Sequence, residues 1–161
     1  MKTKTYHAST IRSLLRKKKI ATMAELKAAL STNVDMTVFR KLCELSYHTS
    51  YSHRGKYYTL DEIALFDKQG IWAVGAVCFS RYGTLLETVQ NFVSKSDKGY
   101  TAFELKNILY VEVKESLLRL SNQKRLHREK ISGVYVYFSG DSVTRYTKKP
   151  NHVSTETRYV R

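Results

Sequence analysis

Residues 22–30 read Thr-Met-Ala-Glu-Leu-Lys-Ala-Ala-Leu, and residues 101–109 read Thr-Ala-Phe-Glu-Leu-Lys-Asn-Ile-Leu. Both follow the pattern Thr-x-x-Glu-Leu-Lys-x-x-Leu, and they begin 79 positions apart. A Thr followed three residues later by Glu is typical of a capping box, in which each side chain bonds the other residue's backbone N–H. The two leucines of each stretch, four positions apart, then lie on one helical face. The sequence therefore predicts one short capped helix that is used twice.

The similarity continues on both sides of these helices in the same order. Thr37–Arg40 aligns with Ser116–Arg119 at the same offset, and Gly55–Tyr58 aligns with Gly133–Val136 after the loss of one residue. The matched apolar residues upstream, at an offset of 78, are Ile11 with Val89, Leu14 with Phe92, and Leu15 with Val93. The repeated order is a helix, a capped helix, a third helix and a glycine-centred hairpin, which indicates an internal duplication.

The third helix of the first copy is predicted over residues 34–45, where apolar side chains recur at helical spacing. Its predicted buried stripe consists of Val34, Val38, Leu42 and Leu45. The corresponding helix of the second copy is predicted over residues 112–120, with Val113, Leu117 and Leu120 buried. Between the copies, residues 60–66 predict a short helix, and the apolar run 71–79 predicts a single strand that is buried on both faces.

These elements predict an α+β fold that is mainly helical. The expected organisation is a first unit over residues 1–60, a connector of a short helix and a buried strand over 61–80, a second unit over 81–140, and a basic C-terminal tail over 141–161. Units of this length lie near the lower size at which a domain can build its own core.

The net charge of +14 is unevenly distributed along the chain. Residues 1–60 contain 12 Lys/Arg against 3 Asp/Glu, residues 98–140 contain 8 against 4, and the last 21 residues contain 5 against 2, whereas residues 61–97 contain 3 against 5. The excess of positive charge therefore lies on the two copies and the tail, which favours a polyanionic partner. The run Lys17, Lys18 and Lys19 follows the first predicted helix, where cations suit the helix dipole and also offer contacts to phosphates.

No apolar stretch approaches the length of about 20 residues that a membrane-spanning helix needs. The N-terminal residues show no apolar segment typical of a secretory signal. Cys43 and Cys78 are far apart in the sequence and are expected to be buried thiols in a reducing compartment. We therefore expect a cytoplasmic, nucleoid-associated protein with no membrane contact.

The order of helix, helix, helix and hairpin, with a short link before the capped helix, resembles the winged-helix form of helix-turn-helix over residues 8–60 and 84–139. The segment that runs from Phe79–Leu85 through Tyr135–Ser139 is also similar to small bacterial tandem winged-helix proteins encoded near transposable elements. The resemblance implies two tandem winged-helix units that bind double-stranded DNA. In such proteins the third helix enters the major groove, and the hairpin, or wing, contacts the neighbouring backbone.

Carried over by position, the resemblance assigns DNA contacts to both units. In the first unit these residues are Asn33, Thr37, Arg40 and Lys41 at or on the third helix, and His53, Arg54 and Lys56 on the wing. In the second unit they are Lys114, Ser116, Arg119, Asn122, Gln123, Lys124 and Arg125 along the third helix and its end, and Arg128 and Lys130 beside the wing. Arg, Asn and Gln are the side chains that bridge guanine or adenine edges, and Lys, Ser and Thr more often hold phosphates.

The second copy departs from this pattern, since Val134, Val136 and Phe138 make its hairpin more apolar. Three acidic residues, Glu112, Glu115 and Glu129, also dilute its positive charge. The second unit is therefore open to two interpretations, a further DNA-binding unit or a module for a protein partner or self-association.

Other classes of function are less well supported by the sequence. The patterns Gly-x-Ser-x-Gly, His-Glu-x-x-His and the P-loop do not occur, so no enzymatic activity is expected. Cys43, His48 and His53 span a helix end and both arms of a hairpin and lack the paired spacing of a metal site, so we expect no metal and no cofactor. The remaining alternatives are a protein- or RNA-binding scaffold, and the DNA-binding part of a transposase or recombinase whose catalytic domain lies elsewhere. The preferred interpretation is a transcriptional regulator or a mobile-element or origin-binding protein.

Overall fold

The computed structural model describes residues 5–140, and contacts divide the chain into two compact units, Met1–Thr84 and Leu85–Arg161. About 45% of the structure is helix and 23% is strand, so the α+β class is confirmed. Residues 61–80, which we expected to form a separate connector, fall within the first unit. The expected basic tail, residues 141–161, lies outside the described residues.

The first unit contains three helices and five short strands, and the first strand lies between the first and second helices. The helices are α1 (Ala8–Lys18), α2 (Met23–Leu30) and α3 (Asp35–Leu45). The strands are β1 (Ala21–Thr22), β2 (Tyr47–Thr49), β3 (Tyr57–Leu60), β4 (Ile71–Val74) and β5 (Val77–Ser80). A turn of 3-10 helix, His53–Gly55, lies between β2 and β3.

The core of the first unit is formed where the apolar faces of α1, α2 and α3 meet. Its buried side chains include Ile11, Leu15, Leu26, Leu30, Val38, Leu42 and Leu60. These residues follow the helical spacing read from the sequence, because each helix buries one apolar stripe. The prediction for Val34 is wrong, since this side chain is 54% exposed. The helix begins one residue later, at Asp35, so Val34 lies outside its periodicity.

The second unit repeats the order of the first through its helices and hairpin. Its helices are α4 (Leu85–Lys95), α5 (Ala102–Leu109) and α6 (Lys114–Asn122), followed by the strands β6 (Leu126–Ile131) and β7 (Val134–Ser139). Its buried residues on these helices include Val89, Val93, Leu105, Leu109, Leu117 and Leu120. The same succession of three amphipathic helices and a hairpin therefore builds both cores.

Both predicted capping boxes are confirmed. The Glu25 N–H donates to the Thr22 Oγ1 at 3.3 Å, and the Thr22 N–H donates to the Glu25 carboxylate at 2.9 Å. The Glu104 N–H donates to the Thr101 Oγ1 at 3.1 Å, and the Thr101 N–H donates to the Glu104 carboxylate at 2.9 Å. Each box satisfies backbone donors that the first helical turn leaves without an intrahelical partner.

The strand pairing also repeats between the units. In the first unit β3 lies between β1 and β2, with Ala21 opposite Tyr58 and His48 opposite Thr59. In the second unit Tyr100 forms an isolated antiparallel bridge with Tyr137, and His127 lies opposite Phe138. The residue facing the link before the capped helix is thus Tyr58 in one unit and Tyr137 in the other. These two residues are 79 positions apart, so the predicted match of Tyr58 with Val136 is wrong and no residue is lost in the hairpin.

The two hairpins have the same number of residues between the corresponding pairs Thr49–Tyr58 and Arg128–Tyr137, but these residues adopt different conformations. In the second unit the ladder continues to the pair Ile131 and Val134, and Ser132 and Gly133, both at positive φ, close it as a two-residue turn. In the first unit the ladder between β2 and β3 stops at Thr49 and Tyr58, and the intervening residues include the 3-10 turn. The first hairpin is therefore short with a broad tip, whereas the second is long and regular.

Two predictions for residues 60–79 are wrong. Residues 61–63 form a turn rather than a short helix. The apolar run 71–79 forms the hairpin β4–β5 rather than a single strand, because Gly75, at a φ of 61°, reverses the chain. Trp72 faces Phe79 across this hairpin, with ring centroids 5.5 Å apart.

Candidate nucleic-acid interface

The outward stripe of α3, which we define as Met36, Arg40 and Cys43, lies opposite its buried residues. The three side chains are spaced at i, i+4 and i+7 and are all exposed. Arg40 forms no ion pair with any residue between 5 and 140. Its guanidinium is therefore available to a partner from solution. Cys43, which we expected to be buried, is exposed because its place in the helical period falls on this stripe.

Lys41, predicted to act together with Arg40, occupies a different position on α3. One residue along a helix is a rotation of about 100°, and the Lys41 side chain is only 24% exposed. Its Nζ lies 3.4 Å from the Glu44 carboxylate. The structure therefore separates Arg40, which is unpaired, from Lys41, which is engaged within its own helix.

Aromatic packing holds the β2–β3 hairpin against α3. The Phe39 ring lies 6.4 Å from that of Tyr47 and 5.9 Å from that of Tyr58, between centroids. Burial raises the pKa of the Tyr58 hydroxyl, with further contributions from Tyr47 and from the Asp35 carboxylate. Phe39 is next to Arg40 on α3, so these ring contacts place the hairpin on the side of the helix adjacent to its outward stripe.

The tip of this hairpin has a constrained backbone. Three consecutive residues, His53, Arg54 and Gly55, have positive φ values of 53°, 55° and 70°. A left-handed conformation costs about 1–2 kcal/mol for a residue that has a Cβ, and backbone strain of this kind is frequent at functional sites. His53, Arg54 and the following Lys56 are all exposed. Neither Arg54 nor Lys56 forms an ion pair within the described part of the chain.

A buried serine anchors this tip to β5. The Cys78 N–H donates to the Ser52 Oγ at 2.9 Å, and the Tyr51 N–H donates to the Cys78 carbonyl at 3.0 Å. The Ser50 hydroxyl donates to the Ser52 carbonyl at 2.9 Å. The Nδ1 of His53 lies 2.9 Å from the same Ser52 Oγ. The second strand pair, β4–β5, therefore supports the basic tip from behind.

The cations near the end of α1 divide into paired and unpaired groups. Lys17 and Lys19 are exposed and have no ion pair among residues 5–140, whereas Lys18 pairs with the capping residue Glu25. The Thr59 hydroxyl donates to the Lys19 carbonyl at 2.7 Å, which fixes the helix end over the sheet. Of the predicted run of three lysines, two remain available for phosphate.

Two arginines on the same helix are held by one carboxylate. Arg12 and Arg16 each donate to Glu62 at 2.9 Å. The hydrogen bond from Arg16, followed by that from Arg12, lowers the pKa of the Glu62 carboxyl below its usual range. Asn33 and Thr37 complete the predicted residues of the first unit; Asn33 is exposed in the loop before α3, and Thr37 is half-buried in its first turns.

The predicted contacts of the second unit lie on a more mixed surface. Arg119 and Asn122 are exposed on α6, but Glu115 shares their outward face at the position that Met36 occupies in α3. The predicted residues Lys114 and Ser116 also lie on α6, exposed and half-buried respectively. Gln123, Lys124 and Arg125 follow the helix end rather than lying within it.

Most cations of the second hairpin are engaged with neighbouring side chains. Arg125 donates to the Gln123 amide oxygen at 3.1 Å and to that of Gln90. The Arg128 guanidinium lies 4.4 Å from the centroid of the Tyr135 ring, and the Lys130 ammonium lies 5.9 Å from it. These cation–π contacts hold the charges along the hairpin rather than at a projecting tip.

The second unit contains an apolar depression that was not predicted from the sequence, which we name the α6–hairpin groove. It has a volume of about 430 Å³. Its lining includes four large apolar residues and two cations, which are Phe103, Leu118, Val134 and Tyr135, and Lys114 and Arg128. One signal was present in the sequence, since Phe103 occupies the repeat position held by Ala24 in the first capped helix, on the face away from the buried leucines.

The grouping of Cys43, His48 and His53 considered from the sequence does not exist as a cluster. His48 Nε2 lies 2.8 Å from the Asp61 carboxylate, and His53 is turned toward Ser52. Across residues 5–140, no three His, Cys, Asp or Glu side chains lie close enough together to hold a metal ion. The same residues include no helix with the length and apolar character needed to cross a membrane.

Comparisons of the chain with protein-family models, with curated proteins and with solved structures found no match.

Proposed function

We propose that the chain is a tandem winged-helix protein that binds double-stranded DNA through its first unit, without enzymatic activity. One observation carries the proposal. Arg40, on the outward stripe of α3, lies on a helix that packs against a hairpin whose anchored tip presents Arg54 and Lys56, and none of the three has an ion pair among residues 5–140. Winged-helix proteins bind DNA with the same arrangement, in which a helix contacts the bases and a hairpin contacts the DNA backbone.

The electrostatics of the first unit support a phosphate partner. Paired cations stabilise the protein itself, whereas Lys17, Lys19, Arg40, Arg54 and Lys56 have no acidic partner within the described residues. Release of counterions from phosphates that such cations neutralise supplies most of the affinity of non-specific DNA binding. We therefore assign the general affinity for duplex DNA to Lys17, Lys19, Arg54 and Lys56.

Sequence preference is assigned to the outward stripe of α3 and the residues next to it. Arg40 can donate two hydrogen bonds to O6 and N7 of a guanine in the major groove. Met36 offers an apolar contact for a thymine methyl group, and Asn33 lies at the helix start, where it can bond an adenine edge or a phosphate. Lys41 takes no direct part, because its side chain is directed to Glu44.

The biological role proposed for this activity is that of a transcriptional regulator or a mobile-element or origin-binding protein. A DNA-binding part of a transposase or recombinase would use the same residues, and its catalytic domain would lie in another protein or segment. Because these roles share one molecular activity, the DNA sequence to which the protein binds is needed to distinguish between them.

The direct experiment is a selection of binding sites from random duplex DNA with the full-length chain. The selected duplex is then titrated against a scrambled duplex and a single strand at several salt concentrations. Affinity for the selected duplex about 10³-fold or more above that for the scrambled duplex, with a steep salt dependence, supports the proposal. Equal, weak affinity for all three nucleic acids refutes sequence-specific recognition.

Cys43 provides a native probe of where DNA binds. It is exposed on the outward stripe of α3, whereas Cys78 is buried and burial raises the pKa of its thiol, so alkylation by N-ethylmaleimide is expected at Cys43 alone. The selected duplex should slow this alkylation, and the scrambled duplex should slow it less. Unchanged alkylation at saturating DNA would show that α3 does not enter the groove. The variant C43S serves as the control for background labelling.

A further inference from the structure

The α6–hairpin groove is an unusual feature of the surface. Phe103 is 73% exposed and Leu118 is 46% exposed, and Val134 and Tyr135 are also exposed. These four side chains come from α5, α6 and β7, so they are adjacent in space rather than in sequence. Isolated exposed apolar residues are common, but a cluster that lines one depression typically marks a binding surface.

The residues of the first unit at the positions corresponding to Leu118 and Phe103 do not form a similar exposed pair. The position of Leu118 is held by Phe39, which is covered by Tyr47 and Tyr58. The position of Phe103 is held by Ala24, which has almost no side chain to expose. The two units therefore share the order of their helices and hairpin, but the first has a closed aromatic cluster where the second has an open apolar surface.

The charges at the groove select the class of ligand. Lys114 and Arg128 line it, and none of its lining residues is acidic. Arg128 is stacked over the Tyr135 ring, so its guanidinium is oriented without being neutralised. A ligand that places carboxylates beside these two cations and an apolar side chain against Phe103 and Leu118 would match both properties of the site.

DNA matches the same surface poorly. Protein–DNA interfaces are more polar and more positively charged than protein–protein interfaces, whereas four large exposed apolar side chains line this groove. Covering Phe103 and Leu118 with a sugar–phosphate backbone would place charged groups against apolar side chains, which is unfavourable. The surface is better suited to a polypeptide.

We propose that the α6–hairpin groove binds an acidic segment of a partner protein, which inserts one or two large apolar side chains between Phe103 and Leu118. Two other occupants carry the wrong charge. Residues 141–161 of this chain contain five Lys/Arg against two Asp/Glu. A second copy docked through the same face would bring Lys114 and Arg128 close to their own symmetry mates. The inference is independent of DNA binding by the first unit.

The experiment uses the full-length chain and a displayed library of random short peptides. Selected peptides are expected to combine Asp or Glu with Leu, Phe or Trp, and a fluorescent copy of the most enriched peptide is used for affinity measurement. The variants F103S and L118S should each weaken its binding about tenfold or more, the range of a moderate hot spot. The double reversal K114E/R128E should remove preference for acidic peptides.

Matched control variants distinguish specific binding in the groove from non-specific binding to exposed apolar residues. Tyr110 is an aromatic residue of α5's C-terminal end that is 72% exposed but does not line the groove, so Y110S should leave peptide affinity unchanged. Thermal unfolding of F103S and L118S should match that of the wild type, because both side chains are on the surface. The proposal would be overturned if Y110S weakened peptide binding as much as F103S and L118S do, or if neither F103S nor L118S changed peptide affinity.

Three further outcomes would assign the groove to another occupant and overturn the partner-peptide proposal. Loss of duplex affinity in F103S and L118S would assign it to DNA. Concentration-dependent self-association that these variants abolish would assign it to a second copy. Peptide binding that appears only after deletion of residues 141–161 would assign it to the chain's own tail. Failure of the first unit to bind DNA would leave the peptide-binding and self-association measurements unaffected.

Discussion

Replacement of Arg40 by alanine, compared with replacement of its neighbour Lys41, tests the assignment of the DNA-reading surface. Both changes remove one positive charge from α3, so they have similar effects on long-range attraction to DNA. Arg40 is exposed and unpaired, whereas Lys41 is 24% exposed and bonded to Glu44. The comparison therefore isolates the position of the charge on the helix.

The expected magnitudes follow from these environments. Loss of a bidentate contact from Arg40 to guanine removes about 1–3 kcal/mol of discrimination, which is about 5-fold to about 160-fold in the dissociation constant for the selected duplex. Lys41→Ala removes an ion pair within the helix, worth about 0.2–0.5 kcal/mol to the fold, and no base contact. We expect it to change affinity for the selected duplex by less than about threefold.

The assay is fluorescence anisotropy at one fixed salt concentration, with the selected and the scrambled duplex measured in parallel. Arg40→Ala should weaken binding to the selected duplex much more than to the scrambled one. Thermal unfolding should be nearly unchanged, since Arg and Ala are both good helix formers. The reasoning is refuted if Lys41→Ala weakens specific binding as much as Arg40→Ala, or if Arg40→Ala weakens both duplexes equally.

Three further predictions concern the hairpin and its support. The double variant R54A/K56A should weaken binding to all duplexes alike. It should also make the slope of log K against log salt shallower by about 1.8, since each phosphate contact contributes about 0.9. An unchanged slope would show that the tip does not contact DNA. The Glu62 carboxyl has a lowered pKa in the folded state, so its ion pairs stabilise the protein above the ordinary carboxyl pKa and this contribution is lost as the pH falls through the lowered value. The difference in unfolding free energy between wild type and E62Q should therefore be present at neutral pH and vanish in acid, and a difference independent of pH would contradict the assignment. Ser52→Ala should leave the buried Cys78 N–H without its acceptor and reduce the free energy of unfolding, measured by urea denaturation, by about 1–3 kcal/mol. The Cys78 amide hydrogen should also exchange faster with solvent. An unchanged exchange rate would show that the Ser52 hydroxyl does not hold this N–H.

Local patterns in the sequence predicted the three helices of each unit and the starts of the two capped helices. The capping boxes at Thr22 and Thr101 involve residues three positions apart, so their geometry is contained within one helical turn. The buried stripes at Val38 and Leu42 and at Leu117 and Leu120 likewise follow from helical period. The error at residues 71–79 arose because an apolar run does not by itself distinguish a long strand from a tight hairpin around a glycine.

The candidate site was predictable only in part. Arg40, Arg54 and Lys56 were named from the sequence and are exposed and unpaired within residues 5–140. Lys18 and Lys41 were named on the same basis, but their pairing with Glu25 and Glu44 depends on side-chain geometry that residue type does not specify. A count of basic residues therefore overestimates the cations that are available to DNA.

The sequence by itself determined the duplication, the capped helices and the basic character of the first unit, because each depends on residue type and short-range spacing. Only the tertiary structure decided which cations are unpaired, how the Ser52 anchor supports the strained hairpin tip, and that Phe103, Leu118 and Tyr135 line one groove. These features join residues from separate helices and strands. Their proximity depends on how the helices pack against the hairpins, and it is this packing that turns one repeated fold into two different surfaces.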